Sequence, residues 1–420
     1  MNSQRLLRRF LRYVKIDTTA RPDAKAYPSS PGQFRLGRLL VRELRAAGLA
    51  DARQDAHGIV LATVPATIDP PHPTIAWCAH LDTSPETSGR GVKPGVVRPY
   101  KGGDVVLAGD PGRVITVADN PKLKDLVGRT LITSDGTTLL GADDKAGVAV
   151  IMEAAAWLAE HTEVRHGPIR ICFTCDEEVG RGVDHLDLAQ LCAVACYTLD
   201  GEGADLIDVE TFSADLAEVT IRGINIHPSI AKGRMVNAVR VAADLVARLP
   251  RDRLAPETTE DREGFLHPYE MSGGVAEVKL QILLRDFQAA RLQRQADLLG
   301  EAAAASRQEF PGARIDIRVS RQYRNMAEGL AREPRAAEFA REALARLGRT
   351  ARLTIVRGGT DGSRLTELGL PTPNLSCGAH APHSPLEWAC LEEMVQAVQW
   401  LIALCEVWAK AEGERMKDEG

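Results

Sequence analysis

A chain of 420 residues, 44% apolar and 26% charged, is long for one core and reads as a globular protein of two domains. Its net charge of -5 leaves no basic footprint for nucleic acid. No apolar run reaches the roughly 18–20 residues that cross a bilayer, so no membrane partner is expected either.

The first residues, "MNSQRLLRRFLRYVKID", are basic up to Asp17, as a transit peptide would be. Leu6, Leu7, Phe10, Leu11 and Val14 nevertheless recur at helical spacing, which predicts a core-packing first helix and a cytoplasmic protein. "GIVLATVPA" and "TIAWCAHLD" then read as strands, and "GVAVIMEAAAWLAEH" as a helix. "PIRICFTCD" and "VACYTLDG" are strands again. Alternation of this kind predicts an α/β domain with a mostly parallel sheet flanked by helices, whose chemistry gathers beyond the carboxyl ends of the strands.

From about residue 213 the style changes. "DLAEVTIRG", "GVAEVKLQILLRDF" and "ARIDIRVSRQY" read as strands, separated by the helices "MVNAVRVAADLVARL" and "QAARLQRQADLLGEAAAASRQEF". They predict an inserted α+β domain over 213–329, with helices on one face of its sheet. "PRAAEFAREALARLG", "RLTIVRGG" and a last helix from "CLEEMVQAVQW" return to the first style, so 1–212 and 330–420 form one split domain. The last residues, "GERMKDEG", are expected to fray.

Eight cysteines invite a disulfide or metal reading. On a strand "IRICFTC", Cys172 and Cys175 face opposite sides and cannot clamp one ion. Small buried thiols kept reduced are the expectation.

Acids and histidines gather at the predicted strand ends. "CAHLDTSP" holds His80 and Asp82, two apart and able to share a face. In "LLGADDKAGVAV", Asp143 and Asp144 precede a helix, where they could cap it or place a carboxylate between two cations. "TCDEEVG" strings together Asp176, Glu177 and Glu178, "YTLDGEG" ends a strand on Asp200, and "GAHAPHSPLEW" offers His380 and His383 in a loop. Zinc and similar cations take imidazole nitrogen and carboxylate oxygen, and hydrolysis needs a base not consumed as a ligand. Adjacent glutamates could divide those two jobs. G-x-S-x-G, G-x-x-x-x-G-K-[ST], H-E-x-x-H and a strand-following G-x-G-x-x-G are all missing from the sequence.

In this order "HLDTSP", "LITSDGTTLLGADDKAG", "FTCDEEVGRG", "YTLDGEG", "HPSIAKGRMVNA", "PETTEDREGF", "YRNM" and "VRGGTDGSRL" resemble tripeptide aminopeptidases of the di-zinc aminoacylase and carboxypeptidase G-like metallopeptidase family. The resemblance runs from about residue 7 to about 405. It implies two Zn2+ per subunit, with Co2+ or Mn2+ as acceptable substitutes. His80 and Asp200 would hold one ion, Glu178 and His383 the other, and Asp143 would bridge them across a cis Asp143–Asp144 bond. Glu177 would be the general base, Asp82 the carboxylate behind His80, and Asp176 structural. His227 would polarise the scissile carbonyl, often in the partner subunit's site; the alternative is a capping or packing histidine. Arg285, Asn325 and Arg357 would meet the polar ends of the substrate. The inserted domain would be the lid and the contact of a homodimer. Cys175 stands where the pattern reads Pro, Gln288 replaces an acid, and the last-ligand loop follows the wider H-S-P-x-E form, which favours His383 over His380.

The expected activity is removal of the N-terminal residue from small peptides, tripeptides above all. A dipeptidase or an N-acyl amino acid deacylase is the nearest alternative, and a non-catalytic peptide-binding protein a remote one.

Overall fold

The computed structural model describes residues 1–69 and 72–418, with side chains described as far as Ala411. The expected fraying of 413–420 falls on residues of which only the helical backbone to Asp418 is described. The chain forms two compact units. One comprises 1–209, 328–354 and 360–420, and the other 210–327 with 355–359.

The larger unit is built on a mixed sheet. Its centre is four parallel strands in the order Ile169–Thr174, Ile75–His80, Ala195–Glu202 and Asn374–His380. Antiparallel strands extend it on both sides: Val60–Val64 beside Ile169–Thr174, and Trp388–Cys390 then Leu131–Thr133 beyond Asn374–His380. The first two of these strands are buried almost along their whole length, because both faces are covered as parallel sheets require. Trp77 and Phe173, both fully buried, face the larger core with helix Ala142–Glu160 and the last helix, Leu391–Asp418. Burial of a side chain of that size contributes roughly 1.5–3 kcal/mol.

The first helix, Ser3–Tyr13, buries Leu6, Leu7 and Phe10 as its spacing predicts. Its basic residues have a structural use. Arg5 and Arg9 donate to the fully buried Glu153 carboxylate at 2.7–2.9 Å, tying this helix to Ala142–Glu160. Removing either guanidinium would leave that buried charge short of a partner. Seven cysteines are buried and all eight are free, but Cys192 is exposed rather than buried as expected. It sits just past the short 3-10 turn Leu188–Gln190, in the connection to strand Ala195–Glu202.

In the smaller unit four antiparallel strands run in the order Phe265–Gly273, Glu277–Asp286, Ser213–Arg222 and Arg314–Tyr323. The first of these escaped the sequence reading, because its exposed residues, Tyr269 to Gly273, break the apolar alternation. In Glu277–Asp286, Val278, Leu280, Ile282 and Leu284 alternate inward. They meet helix Ala238–Arg248 through Val241, Ala242 and Leu245, and helix Ala289–Glu309 through Leu292 and Leu299. Among the described residues no helix is long and apolar enough to cross a membrane.

Candidate metal centre

The four central strands are parallel, so their carboxyl ends share one edge of the sheet. His80 is the last residue of its strand and is paired in register with Thr174, after which the chain turns into Cys175–Glu178. Asp200 lies near the end of the next strand, and His383 in the loop after Asn374–His380. Helix Ala142–Glu160 starts at the same edge, and its Asp143–Asp144 bond is cis, as the resemblance implies. Gly147 permits its close approach, since a Cβ there would fall 2.0 Å from the carbonyl oxygen of Leu199.

Asp143 stands at the middle of the cluster. Its Oδ1 lies 2.9 Å from Nε2 of His80, which is also 3.6 Å from Oδ1 of Asp200. Its Oδ2 lies 3.3 Å from Nε2 of His383, which is also 3.0 Å from Oε2 of Glu178. One carboxylate therefore faces two separate His–acid pairs, one with each oxygen. His380, expected in a loop, ends strand Asn374–His380 and is turned elsewhere: its Nε2 pairs with Glu393 at 2.5 Å and its ring stacks on Trp388.

The donor set fits divalent cations. Ligand atoms of His80, Asp143 and Glu178 lie within 4.8 Å of one another, and so do those of His80, Asp144 and Asp200. The second grouping includes an acid already in use, because Asp144 accepts the backbone N–H groups of His80 and Gly147, each at 3.1 Å. Capping and framing are its roles. Glu178 Oε1 is buried with no hydrogen-bond partner, as a donor atom reserved for a cation would be.

Charge crowding points the same way. Burial pushes Glu178 up to about 8 and Asp200 up to about 7, and the Asp143 charge adds to both. Burial likewise raises Glu177 well above the carboxylate range, with Asp361, Asp200 and Glu178 reinforcing it. Asp143 and Glu178 raise His383 to about 11. Burial opposes protonation of His80, but Asp143, Asp200 and Asp82 outweigh it and raise this imidazole too. A site that draws protons this strongly is short of positive charge.

Asp82 stands behind the His80 ring. Its Oδ1 is 3.5 Å from Nδ1 of His80, and that nitrogen, though buried, makes no hydrogen bond. The Asp82 carboxylate also accepts the backbone N–H groups of Glu177 at 3.1 Å and Glu178 at 3.0 Å. It caps the short 3-10 turn Glu177–Val179 and orients both glutamates. Asp176, in the left-handed region with φ 62°, is held from the other side by the Ser29 N–H at 2.7 Å and the Gln33 side-chain amide at 2.6 Å. Its structural reading agrees with these contacts.

Two further acids had no assigned role. Asp361, from "RGGTDGSRL", is buried, accepts the Thr174 hydroxyl at 2.5 Å and is pushed up to about 8 by burial. Glu86 lies 3.4 Å from Nδ1 of His383. Asp361 comes from a motif that the sequence reading singled out, and Glu86 directly follows another, "HLDTSP".

His227, Arg285, Asn325 and Arg357 belong to the smaller unit. His227 is exposed, and its Nδ1 accepts the backbone N–H of Ser229 at 3.3 Å, so it does cap the turn Pro228–Ile230. Arg285 donates to the carbonyls of Asp215 and Leu284. Asn325 accepts from the N–H groups of Thr211 and Ala327 and donates to the Phe287 carbonyl. Arg357 donates to Thr259 and to the Glu263 carbonyl, over the rings of Phe212 and Phe265. All three polar side chains hold their own unit together.

A parallel strand edge carrying a carboxylate between two His–acid pairs, with a spare glutamate beside them, defines a hydrolase of the co-catalytic metal type. Residues 135–407 match the model of peptidase family M20/M25/M40. The chain is 42% identical over 405 residues to peptidase T of Geobacillus thermodenitrificans, covering 96% of this chain and 98% of the relative. The crystal structure of aminopeptidase PepT from Bacillus cereus superposes with a TM-score of 0.73 at 26% identity, covering 97% of this chain and 99% of that one. A Bacillus subtilis protein described as a dinuclear metal-binding peptidase of the M20 family shares the fold, with a TM-score of 0.62 at 15% identity and coverage of 96% and 98%. The chain belongs to peptidase family M20/M25/M40.

Proposed function

We propose that the chain is a metal-dependent aminopeptidase that releases the N-terminal residue of tripeptides. The observation that carries this reading is the division of the Asp143 carboxylate between the His80–Asp200 and His383–Glu178 pairs. These five residues would hold two divalent cations, with Asp143 common to both. Zinc suits the nitrogen and oxygen donors, and cobalt or manganese would be accepted. When bound, the cations supply Lewis-acid activation of water and of the scissile carbonyl.

The rest falls to the chain's own residues. Glu177 is the neighbouring acid that the ligand set leaves free, and a carboxylate beside a pair of cations is ionised and able to accept a proton. It takes one proton from the attacking water as the oxygen bonds to the carbonyl carbon. It then gives that proton to the leaving amine nitrogen as the C–N bond breaks. Asp82 fixes the backbone from which Glu177 and Glu178 project. With Nδ1 of His227 turned to the Ser229 hydroxyl and N–H, Nε2 is the ring nitrogen that would donate a proton to a carbonyl oxygen that becomes negative. The smaller unit would serve as lid and as the contact of a homodimer. Free, mostly buried thiols accord with a reducing cytoplasm.

The test compares metal-free and zinc-, cobalt- or manganese-supplemented protein on tri-, di- and tetra-alanine and on N-acetyl-alanine. The reading expects metal-dependent release of free alanine, fastest from the tripeptide. Preference for the dipeptide or the acetylated substrate would move the chain to the dipeptidase or deacylase alternative. Bound metal without hydrolysis of any substrate would leave a binding protein.

A further inference from the structure

Beyond the five donors and the base, one buried acid has no part in that reaction. Glu387 is 1% exposed. Its Oε2 accepts the backbone N–H groups of Leu140 at 2.8 Å and Gly141 at 2.6 Å, and its Oε1 accepts that of Asp143 at 2.9 Å. Three N–H groups within four residues converge on one carboxylate because Gly141 turns the chain through the left-handed region, at φ 79°. A Cβ on Gly141 would come within 3.2 Å of Thr83 and 3.4 Å of the Lys145 ammonium, so the turn is closed in as well as bent.

The other end of Glu387 is equally constrained. Its own N–H donates to the Ser384 carbonyl at 3.2 Å, closing the turn that follows His383. The next residue, Trp388, is paired with His380 on one side and Thr133 on the other. A single side chain therefore joins the loop of His383 to the backbone of Asp143. We propose that Glu387 is a positioning residue, which sets the separation of Asp143 and His383 and so the reach of the Asp143 carboxylate across both His–acid pairs. The inference rests on the metal reading above, though its backbone clamp is a property of the chain alone.

A carboxylate suits the clamp because both oxygens accept. In E387Q the amide NH2 must face at least one of the three N–H groups, whichever way it is turned, so the clamp opens on one side. The test uses the full chain after metal removal. Amide hydrogen exchange should show Leu140, Gly141 and Asp143 strongly protected in the wild type and at least tenfold faster in E387Q. Cobalt titration followed by its d–d absorption should show the variant binding at least tenfold more weakly, with altered bands, as loss of a ligand-orienting partner typically does.

If wild-type protein binds no cobalt, the metal reading itself fails. If it does, and folded E387Q keeps the same affinity and bands, the positioning role is overturned while the metal reading stands. Should E387Q not fold, the wild type still decides: exchange of the three amides at exposed-loop rates overturns the clamp. E387D then supplies the cobalt comparison, since its shorter carboxylate cannot reach both Leu140 and Asp143.

Discussion

The Asp82 carboxylate accepts the backbone N–H of Glu177 at 3.1 Å through one oxygen, while its other oxygen takes the neighbouring N–H of Glu178. One acid thus orients both the proposed base and a proposed ligand. D82N can satisfy only one of these N–H groups and sets an NH2 against the other. Activity is expected to fall about 10–100-fold, mainly in kcat, with the fold retained. An unchanged kcat, measured by steady-state kinetics with saturating metal, would remove Asp82 from this role.

Glu177 donates to no ligand pair in the proposed scheme, so its loss should separate chemistry from binding. E177A is expected to retain about two cations per chain by elemental analysis and to lose about 10²–10⁴-fold in kcat. Full turnover in that variant would contradict the assignment of the base.

The two candidate histidines of the last-ligand loop should behave oppositely. H383A removes a nitrogen 3.0 Å from Glu178 and 3.3 Å from Asp143, and is expected to lower the bound metal and abolish turnover. H380Q disturbs the pair with Glu393 and the stack on Trp388. It should cost roughly 1–3 kcal/mol of stability, seen as a lower unfolding midpoint, and leave metal content intact. Equal metal loss in both variants would mean that the loop acts as a unit.

The metal-free protein should lose stability as pH rises. Glu178 and Asp200 are raised by burial to about 8 and about 7, and His383 is raised to about 11 by Asp143 and Glu178. At pH 5 to 8 the folded chain therefore holds protons that the unfolded chain has begun to release, so the slope of stability against pH is negative. Asp143, held below the usual carboxylate range by His383 and His80 despite its burial, acts the other way only in more acid solution. Calorimetry in chelator at pH 5.5 and pH 8 should give the lower midpoint at pH 8. Excess divalent cation should narrow the gap by stabilising the ionised carboxylates. A metal-free midpoint that climbs over this range contradicts the crowded-charge picture.

Strand and helix periodicity, read along the chain, locates three of the four parallel strands, with His80, Glu177, Glu178 and Asp200 at their ends and Asp143 at a helix start, but misses Asn374–His380, the strand before His383. Each of those signals is local: an apolar run, then an acid or histidine where it stops. The partners of the supporting acids are not local. Asp82 reaches Glu177 across 95 positions, Asp361 reaches Thr174 across 187, and Glu387 reaches Asp143 across 244. No periodicity encodes such pairs, because they arise only when the parallel strands bring their ends to one edge. The antiparallel flanks of the sheet and the commitment of Arg285, Asn325 and Arg357 to their own unit were hidden for the same reason. Composition and pattern by themselves determined which residues stand at the edge of the sheet. Only the tertiary structure decided which of them face a cation, which orient a neighbour, and which merely hold a loop, because those roles depend on distances that folding alone creates.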